Sequence, residues 1–382
     1  MMRRVAVLCC ILAMGLPLQG CWNYREVDSL MIVAGMAVDA GQEGHKYHLT
    51  IDLADTSNAG KDKPVVSALV ESEGDSIFEA IRNSITRVGM ELYWQNCQVV
   101  IISQDVAGES IAPIIDWLNR DPEPRLTIEM YVSQAPTAKE VLVQKSAAMA
   151  ITSFEIDKYY EINEKIRPVA EYKMLYNVYN DLASRGKSLL LPALNVAGNA
   201  DSPACVLSGI AYFDKDRLAG FLPAEESQFA MFVLNHVRGG VITVRSPEEN
   251  TIAALEIHQN KTAVTVQARD GKLFVTIETG TETAIDELDT KTNYLKKDRR
   301  EELKSMAEIG LAADIAGVVR AMQERGYDIF GFSDVLHRSD PDSWNALREN
   351  WRDVFRQAEV RVSCGITIRN GKESRFSVGG GS

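Results

Sequence analysis

The first twenty residues constrain the fold of this chain more than any other feature, because they have the form of an export signal. Arg3 and Arg4 precede an apolar run over residues 5–16, and Gly20 leads directly into Cys21. A positive start, a short apolar run and a small residue before the cleavage point are typical of a secretory signal peptide. The run is too short for an ordinary membrane-spanning helix. We therefore expect this segment to be removed and the rest of the chain to fold outside a membrane.

Cys21 is predicted to carry a lipid. Leu18, Gln19 and Gly20 precede it, and a leucine followed by a small residue directly before cysteine is the cleavage pattern of bacterial lipoproteins. The thiol accepts a diacylglyceryl group, and cleavage then makes Cys21 the N-terminus of a chain of 362 residues. Two acyl chains, such as palmitate, anchor a protein stably where one is marginal. The alternative is a plain secreted protein with an incidental cysteine at this position.

The charge of the chain excludes two kinds of partner. Lys and Arg number 41 against 53 Asp and Glu, which gives a net charge of −12. Nucleic acid binding needs clustered basic residues, so no nucleic acid partner is predicted. A basic membrane-surface patch is equally unsupported by the sequence. After the signal no apolar run is long enough to cross a bilayer, so the predicted membrane contact is the lipid on Cys21.

Three cysteines remain once the signal and the acylated Cys21 are set aside. They are Cys97, Cys205 and Cys364, each within a strand-like run and none in a C-x-x-C pair. An odd number without paired spacing does not indicate a disulfide framework. We expect all three to be small buried hydrophobic residues.

Strands and helices alternate along the first half. Apolar, strand-like runs cover residues 30–38, 47–53 and 97–102. A helix is predicted from Ile77 to Val88, because its apolar residues recur at helical spacing and Gly89 follows. Thr137 and Glu140 form a capping box for a further helix, and residues 153–163 and 169–184 have the pattern of two more.

The second half opens with a hairpin over residues 205–222 and continues with a helix near residues 224–237. Strands are predicted over residues 251–258, 262–268 and 273–278, with turns at 259–261 and 270–272. A charged helix of about 45 Å follows over residues 296–324. The predicted strands are joined by hairpins rather than by βαβ crossovers. We therefore predict a multi-domain α+β fold with mixed or antiparallel sheets, flanking helices and one long helix in the C-terminal half.

The predicted domains follow from a small, polar, turn-rich stretch in the middle of the chain. Residues 21–194 form an N-terminal α+β domain, residues 195–204 a linker, and residues 205–378 a C-terminal α+β region. Whether the C-terminal region divides again near residues 250–285 is left open.

No pattern indicates catalysis, a cofactor or a metal. The Gly186-Lys187-Ser188 sequence resembles the end of a phosphate loop, but Asp181 stands where the earlier glycine is required. His45 and His48 lie three residues apart beside a strand start, where surface positions are a better interpretation than metal ligands. Neither a nucleophile motif nor a distinctive acid–base pair is present, so we predict a protein that is not an enzyme.

Trp344, Trp351 and Phe355 recur at helical spacing. They are either an exposed stripe that binds a partner or one face of a helix packed on its own core, and the core is the favoured interpretation.

Several motifs, taken in order behind the lipid cysteine, resemble the Ger(x)C family of spore germination lipoproteins. The opening Cys21-Trp22-Asn23-Tyr24-Arg25-Glu26-Val27 is similar to the mature start of that family, with Asn23 in place of the usual Asp. The resemblance continues along the chain. The residues that match the family's motifs, and that we expect to be structural or to form an interface, are Trp22, Glu26, Gly35, Gly209, Phe213, Gly220, Asp328, Gly331, Trp344 and Trp351. It covers nearly the whole mature chain.

This resemblance implies a non-enzymatic, lipid-anchored subunit of a spore nutrient germinant receptor. It implies two integral-membrane partners, the A and B subunits, and a place on the outer face of the cell membrane or inner spore membrane. It also implies a fold in three parts, and it leaves direct germinant contact by this subunit open. The alternative is a solute-binding lipoprotein of a transporter, a class that usually has two βαβ-rich lobes around a cleft.

Overall fold

The described part of the chain is built from two sheets with helices packed against them. A computed structural model describes residues 30–42, 44–55, 65–144, 149–184, 186–199, 202–245, 253–288 and 297–369. These residues form mixed sheets with flanking helices, which confirms the predicted α+β class and the long helix in the C-terminal half.

The first sheet holds nine of the described strands. They are β1 (Leu30–Ala40), β2 (Tyr47–Asp55), β3 (Val66–Gly74), β4 (Glu91–Tyr93), β5 (Val99–Ile102), β6 (Glu129–Ser133), β7 (Leu190–Asn199), β8 (Ser202–Asp214) and β9 (Arg217–Pro223). The helices within this span are α1 (Ile77–Val88), α2 (Gln104–Glu109), α3 (Ala112–Arg120), α4 (Ala138–Leu142), α5 (Thr152–Ile166) and α6 (Leu175–Ala183). The strand order is β3-β2-β1-β5-β6-β7-β8-β9, and β4 pairs with β1.

The middle of this sheet is parallel, which corrects the expectation of hairpins in place of strand–helix–strand units. β1 pairs with β5, β5 with β6, and β6 with β7, all in parallel. Helices α2 and α3 connect β5 to β6, and α4 to α6 connect β6 to β7. Parallel neighbours need such crossovers, and their strands are buried on both faces. All four residues of β5 are buried.

The predicted linker over residues 195–204 differs from the structure. Its described residues belong to β7 and β8, which pair as an antiparallel hairpin from Leu190↔Tyr212 to Asn199↔Ser202. Small polar residues such as those of this stretch also suit the end of a hairpin, so the composition alone does not distinguish the two. The domain division itself stays a prediction.

The second sheet has the order β10-β11-β12-β13 in the described residues. Its strands are β10 (Val241–Val244), β11 (Ala253–Arg269), β12 (Lys272–Leu288) and β13 (Glu359–Arg369). The helices beside it are α7 (Ala224–Val233), α8 (Lys297–Arg325), α9 (Phe332–Ser339), α10 (Pro341–Leu347) and α11 (Trp351–Arg356). The predicted long helix is α8, which packs its buried face against α7 and β13.

One of the two predicted turns in this sheet is correct. Asp270 and Gly271 have positive φ angles of 50° and 74° and join β11 to β12 in a two-residue hairpin. The turn predicted at residues 259–261 is wrong, because β11 runs through it with a shift of pairing register after Ile257. Asn260 is buried there and accepts hydrogen bonds from the hydroxyls of Thr279 and Thr281, each at 2.8 Å.

Candidate functional site

Three of the predicted site residues, Cys21, Trp22 and Glu26, lie outside the described residues. The other motif residues form two groups that contact each other, and Gly35 lies apart from both. The first group is Gly209, Phe213 and Gly220 on the β8–β9 hairpin, and the second is Asp328, Gly331, Trp344 and Trp351 between α8 and β13.

The centre of the second group is the fully buried carboxylate of Asp328. It accepts hydrogen bonds from the backbone N–H groups of Phe332 and Ser333 at 3.1 and 2.8 Å, and from Trp351 Nε1 at 3.2 Å. Burial raises the pKa of this carboxyl, although the hydrogen bonds oppose the shift. Asp328 therefore fixes the first turn of α9 to the start of α11.

Gly331 and the two tryptophans complete this group. Gly331 has φ of 72° directly before α9, a conformation that favours glycine. The rings of Trp344 and Trp351 lie edge to face with centroids 5.2 Å apart, and both are buried. The favoured interpretation of the Trp344, Trp351 and Phe355 stripe as core is correct, but the stripe belongs to α10 and α11 rather than to one helix.

The hairpin group contains two glycines, Gly209 and Gly220, that lie too close to neighbouring atoms for a larger residue. Gly209 has φ of 136°, and a Cβ there would lie 2.1 Å from the carbonyl oxygen of Leu222. A Cβ on Gly220 would lie 2.5 Å from the hydroxyl oxygen of Tyr212. Phe213 is fully buried in the core of the first sheet. Larger residues at the two glycines would separate β9 from β8.

The two groups meet at a contact that we call the seam, formed by Tyr212, Tyr327, Asp328 and Ser188. The rings of Tyr212 and Tyr327 have centroids 5.3 Å apart. The N–H of Ser188 donates to the carbonyl oxygen of Asp328 at 3.1 Å. Gly186 belongs to the same region, since a Cβ there would lie 2.7 Å from the Trp344 ring. The motif residues thus join the two sheets. Trp344 also lines an open surface pocket of about 330 Å³, together with Gly186, Arg348 and Glu349.

Gly35 is the separate position. It follows a register shift in β1, and a Cβ there would lie 2.3 Å from Ser153 Oγ and 2.8 Å from Val99 Cγ2. The glycine lets α5 approach the sheet closely enough for Ser153 Oγ to donate to the buried Asp52 at 2.7 Å.

A second contact between the two halves was not predicted from the sequence. A Cβ on Gly239 would lie 1.9 Å from the carbonyl oxygen of Lys165, so the loop after α7 lies directly against the end of α5. Two ion pairs cross here, in which N···O distances of 3.7 Å join Arg238 to Glu164 and Arg167 to Glu225. His236 Nε2 also lies 3.5 Å from Glu171, and burial lowers the pKa of this histidine. Only a tertiary structure brings together charges so distant in sequence.

Glu129 is a buried acid that the sequence analysis missed. It accepts a hydrogen bond from the hydroxyl of Tyr131, and Tyr172 and Asp157 also lie beside it. Burial, with the charge of Asp157 adding to it, raises the pKa of Glu129 to about 8. Nothing in its sequence context separates Glu129 from the many exposed acids of this chain.

The cysteines and histidines have ordinary surroundings. Cys97 and Cys205 are buried as predicted, whereas Cys364 is half-buried. Burial raises the pKa of each thiol to about 12. His45 Nδ1 lies 3.2 Å from Asp75 and His48 Nε2 lies 3.0 Å from Glu71. Among the described residues, no group of three or more His, Cys, Asp or Glu could hold a metal ion.

A cleft of about 600 Å³ opens in the first half, between the start of α1, α3 and the turn from β1 to β2. Tyr47, Phe78 and Trp117 form its apolar walls, and Lys46 and Arg120 are among its charged residues. The cleft does not contain any motif residue. None of the helices in the described ranges is long and apolar enough to cross a membrane.

Comparison with known proteins gives a consistent result over most of the chain. The family model "Spore germination protein N-terminal domain" matches residues 23–196, and the model "Spore germination B3/ GerAC like, C-terminal" matches residues 208–372. Among curated proteins of Bacillus subtilis (strain 168), the putative spore germination protein YfkR is 26% identical over 96% of this chain and 95% of its own. Spore germination protein KC is 22% identical over 97% of this chain and 96% of its own, and spore germination protein B3 is 23% identical over 93% and 95%.

A solved structure shares the fold. The crystal structure of the GerBC protein matches with a TM-score of 0.54 and 19% identity, over 88% of this chain and 97% of that one. The two family models meet within β7 and β8, so the boundary between them falls on the hairpin that leads into the seam.

Proposed function

This chain belongs to the Ger(x)C family of spore germination proteins, and from that premise we propose that it is the lipid-anchored C subunit of a nutrient germinant receptor. The observation that carries the proposal is the match of both family models, in order, over residues 23–196 and 208–372. The curated relatives are spore germination proteins that align over more than nine-tenths of both chains.

The family is a non-catalytic kind of protein, and the placement of the motif residues supports a structural role. The described ones lie in close-packed contacts, and Asp328 uses its carboxylate to hold α9 and α11 together. A catalytic acid would instead be placed beside space for a substrate.

The anchor is the lipid on Cys21. The first described residue, Leu30 of β1, lies nine residues after Cys21, so the first sheet is close in sequence to the acylated residue. A tether of this kind confines the protein to the outer face of the membrane and raises its effective concentration near membrane partners. The subunit docks there on the integral-membrane A and B subunits and stabilises or gates their assembled state.

The anchor is tested by replacing Cys21 with Ala in the spore-forming host. We expect Cys21→Ala to release the protein from spore membranes and to abolish the response to nutrient germinant. Cys364→Ala is the matched control, because it removes a half-buried thiol with no predicted lipid. Loss of retention with normal germination would contradict a signalling role for the anchor.

Docking is tested separately on the purified receptor. Integral-membrane subunits isolated without this chain should assemble poorly or respond weakly to germinant. Complexes that form fully and respond normally in its absence would remove the proposed role.

The cleft beside Trp117 supports an alternative function, that of a solute-binding lipoprotein, which we call the rival. Its volume of about 600 Å³ is sufficient for a small molecule, but it lies within the first half rather than between two lobes. The rival predicts a rise in melting temperature when the purified protein meets its solute. The subunit proposal does not require such a rise.

A further inference from the structure

Helix α5 has an outward face that differs from the rest of this acidic chain. Ile162 and Ile166 are 56% and 65% exposed and lie one turn apart on the helix. Lys158 and Lys165 are also exposed, and Lys158, Lys165 and Ile166 each lie three or four residues from Ile162, so all four share one side of the helix. Arg167 follows at its end and is exposed as well. We call these five residues the α5 face.

The apolar part of the α5 face continues onto the neighbouring strand. A groove of about 230 Å³ separates Ile162 and Ile166 from Val206 and Leu207 of β8. Val169 forms part of the same groove. The exposed apolar surface therefore extends beyond two isolated side chains, and contiguous apolar surface of this kind marks interaction sites.

Three exposed basic side chains, Lys158, Lys165 and Arg167, lie beside this apolar surface, in a helix that also carries Glu155, Asp157, Glu161 and Glu164. Lys158 lies 3.3 Å from Asp157, and Arg167 lies 3.7 Å from Glu225, in pairs exposed to solvent. Surface pairs of this kind contribute little to stability. Exposed apolar side chains with Lys and Arg beside them are typical of helices that lie in the interface of a bilayer.

The position of α5 relative to the chain entry points to the same partner. Ile32 at the start of β1 and Phe154 at the start of α5 belong to one apolar cluster. Asp157 lies beside Glu129, the first residue of β6, so α5 runs across the beginning of the parallel strands. The described part of the chain begins at this edge, at Leu30 of β1.

The distances fit a bilayer held by the anchor. From Phe154 to Ile166 the helix advances about 18 Å. Nine residues lead from Cys21 to Leu30, and an extended chain of that length spans at most about 30 Å. A lipid on Cys21 therefore keeps the bilayer within reach of the α5 face.

We infer that the α5 face rests on the bilayer surface, with Ile162 and Ile166 in the interface and the basic side chains against anionic lipid headgroups. This inference rests on the proposed lipid anchor and adds the orientation of the subunit on the membrane. Long basic side chains can keep their charges at the headgroups while their stems cover apolar surface. Lys158 and Lys165 are exposed whereas Glu155, Asp157 and Glu164 of the same helix are half-buried, a difference that the sequence does not show.

The test places a fluorescent probe on the α5 face of the full lipidated protein. Ile162→Cys is labelled with bimane and the protein is reconstituted on vesicles of phosphatidylglycerol and phosphatidylcholine with brominated acyl chains. Ile309→Cys on α8 is the matched control, since Ile309 is 68% exposed. Both variants carry Cys364→Ala, and the buried Cys97 and Cys205 have pKa values raised to about 12, which leaves them unreactive.

We expect about threefold stronger quenching at position 162 than at position 309, because brominated chains quench probes that enter the interface. Replacing phosphatidylglycerol with phosphatidylcholine should weaken it. Equal quenching at both positions on protein that floats with the vesicles would overturn the orientation and leave the anchor intact. Quenching that requires added integral-membrane subunits would overturn it in favour of a protein partner. Protein that fails to float would overturn the anchor itself, and the orientation with it.

Discussion

The carboxylate of Asp328 accepts three hydrogen bonds from donors that have lost contact with water. In Asp328→Asn the side chain keeps one acceptor oxygen and turns an NH₂ group toward the remaining donors. Each buried donor left without an acceptor costs about 1–3 kcal/mol. We expect a lower free energy of unfolding by urea, whereas Asp342→Asn, at an exposed position of α10, should leave it unchanged. Equal stability of the two variants would show that Asp328 does not hold α9 to α11.

Glu129 makes the stability of the fold depend on pH. In the unfolded chain its carboxyl loses a proton near the ordinary pKa of 4.5, whereas burial in the folded chain raises that pKa to about 8. The folded state therefore holds the extra proton between these values, and the free energy of unfolding falls as pH rises through this window, by about 1.4 kcal/mol per pH unit.

In Glu129→Gln the side chain at position 129 is uncharged at every pH. The variant therefore lacks this contribution to the pH dependence of the free energy of unfolding. Relative to the unmodified chain, the variant should gain stability steadily from pH 5 to pH 8 in urea unfolding. Glu256→Gln, at an exposed position of β11, should show a difference that does not change with pH. If the stability difference between Glu129→Gln and the unmodified chain also did not change with pH, the carboxyl of Glu129 would have an ordinary pKa in the folded state.

At the scale of elements, predictions succeeded where the signal is local. The apolar residues of α8 recur at helical spacing, and Asp270-Gly271 is a turn in almost any context. The turn predicted at residues 259–261 failed because the partners of Asn260, Thr279 and Thr281, are 19 and 21 residues away. A sequence shows that a residue is polar but does not show which distant hydroxyls satisfy it.

The contact between β1 and α5 gives a prediction at this scale. In Gly35→Ala the new Cβ meets Ser153 Oγ and Val99 Cγ2 at 2.3 and 2.8 Å, so α5 must move from the sheet. Overpacking of this kind costs about 1–3 kcal/mol and lowers the melting temperature. Gly280→Ala in β12 is the control, because its Cβ has no neighbour within 4 Å and should be neutral or stabilising. Equal melting temperatures would show that the approach is not tight.

At the scale of the molecule, the β7–β8 hairpin connects the two cores. Leu191 and Phe213 face the core of the first sheet, and Leu190 and Tyr212 face the core that contains α8. The order of the family motifs was evident from the sequence, but their convergence at the seam was not. Alternation along a strand predicts two faces, and it does not say which element covers each face.

Because each face of this hairpin is part of a different core, we expect the two halves to unfold together. Phe213→Ala should cost about 3–5 kcal/mol and Ile315→Ala, in α8, about 2–5 kcal/mol. Both residues are fully buried, one in each core. In native-state hydrogen exchange followed by mass spectrometry, each variant should reduce protection equally in peptides from β5 and from β12, since both open through one global unfolding. If Phe213→Ala lowered protection in β5 and left β12 unchanged, the hairpin would join two independent domains. The seam would then be a contact that opens without unfolding either half.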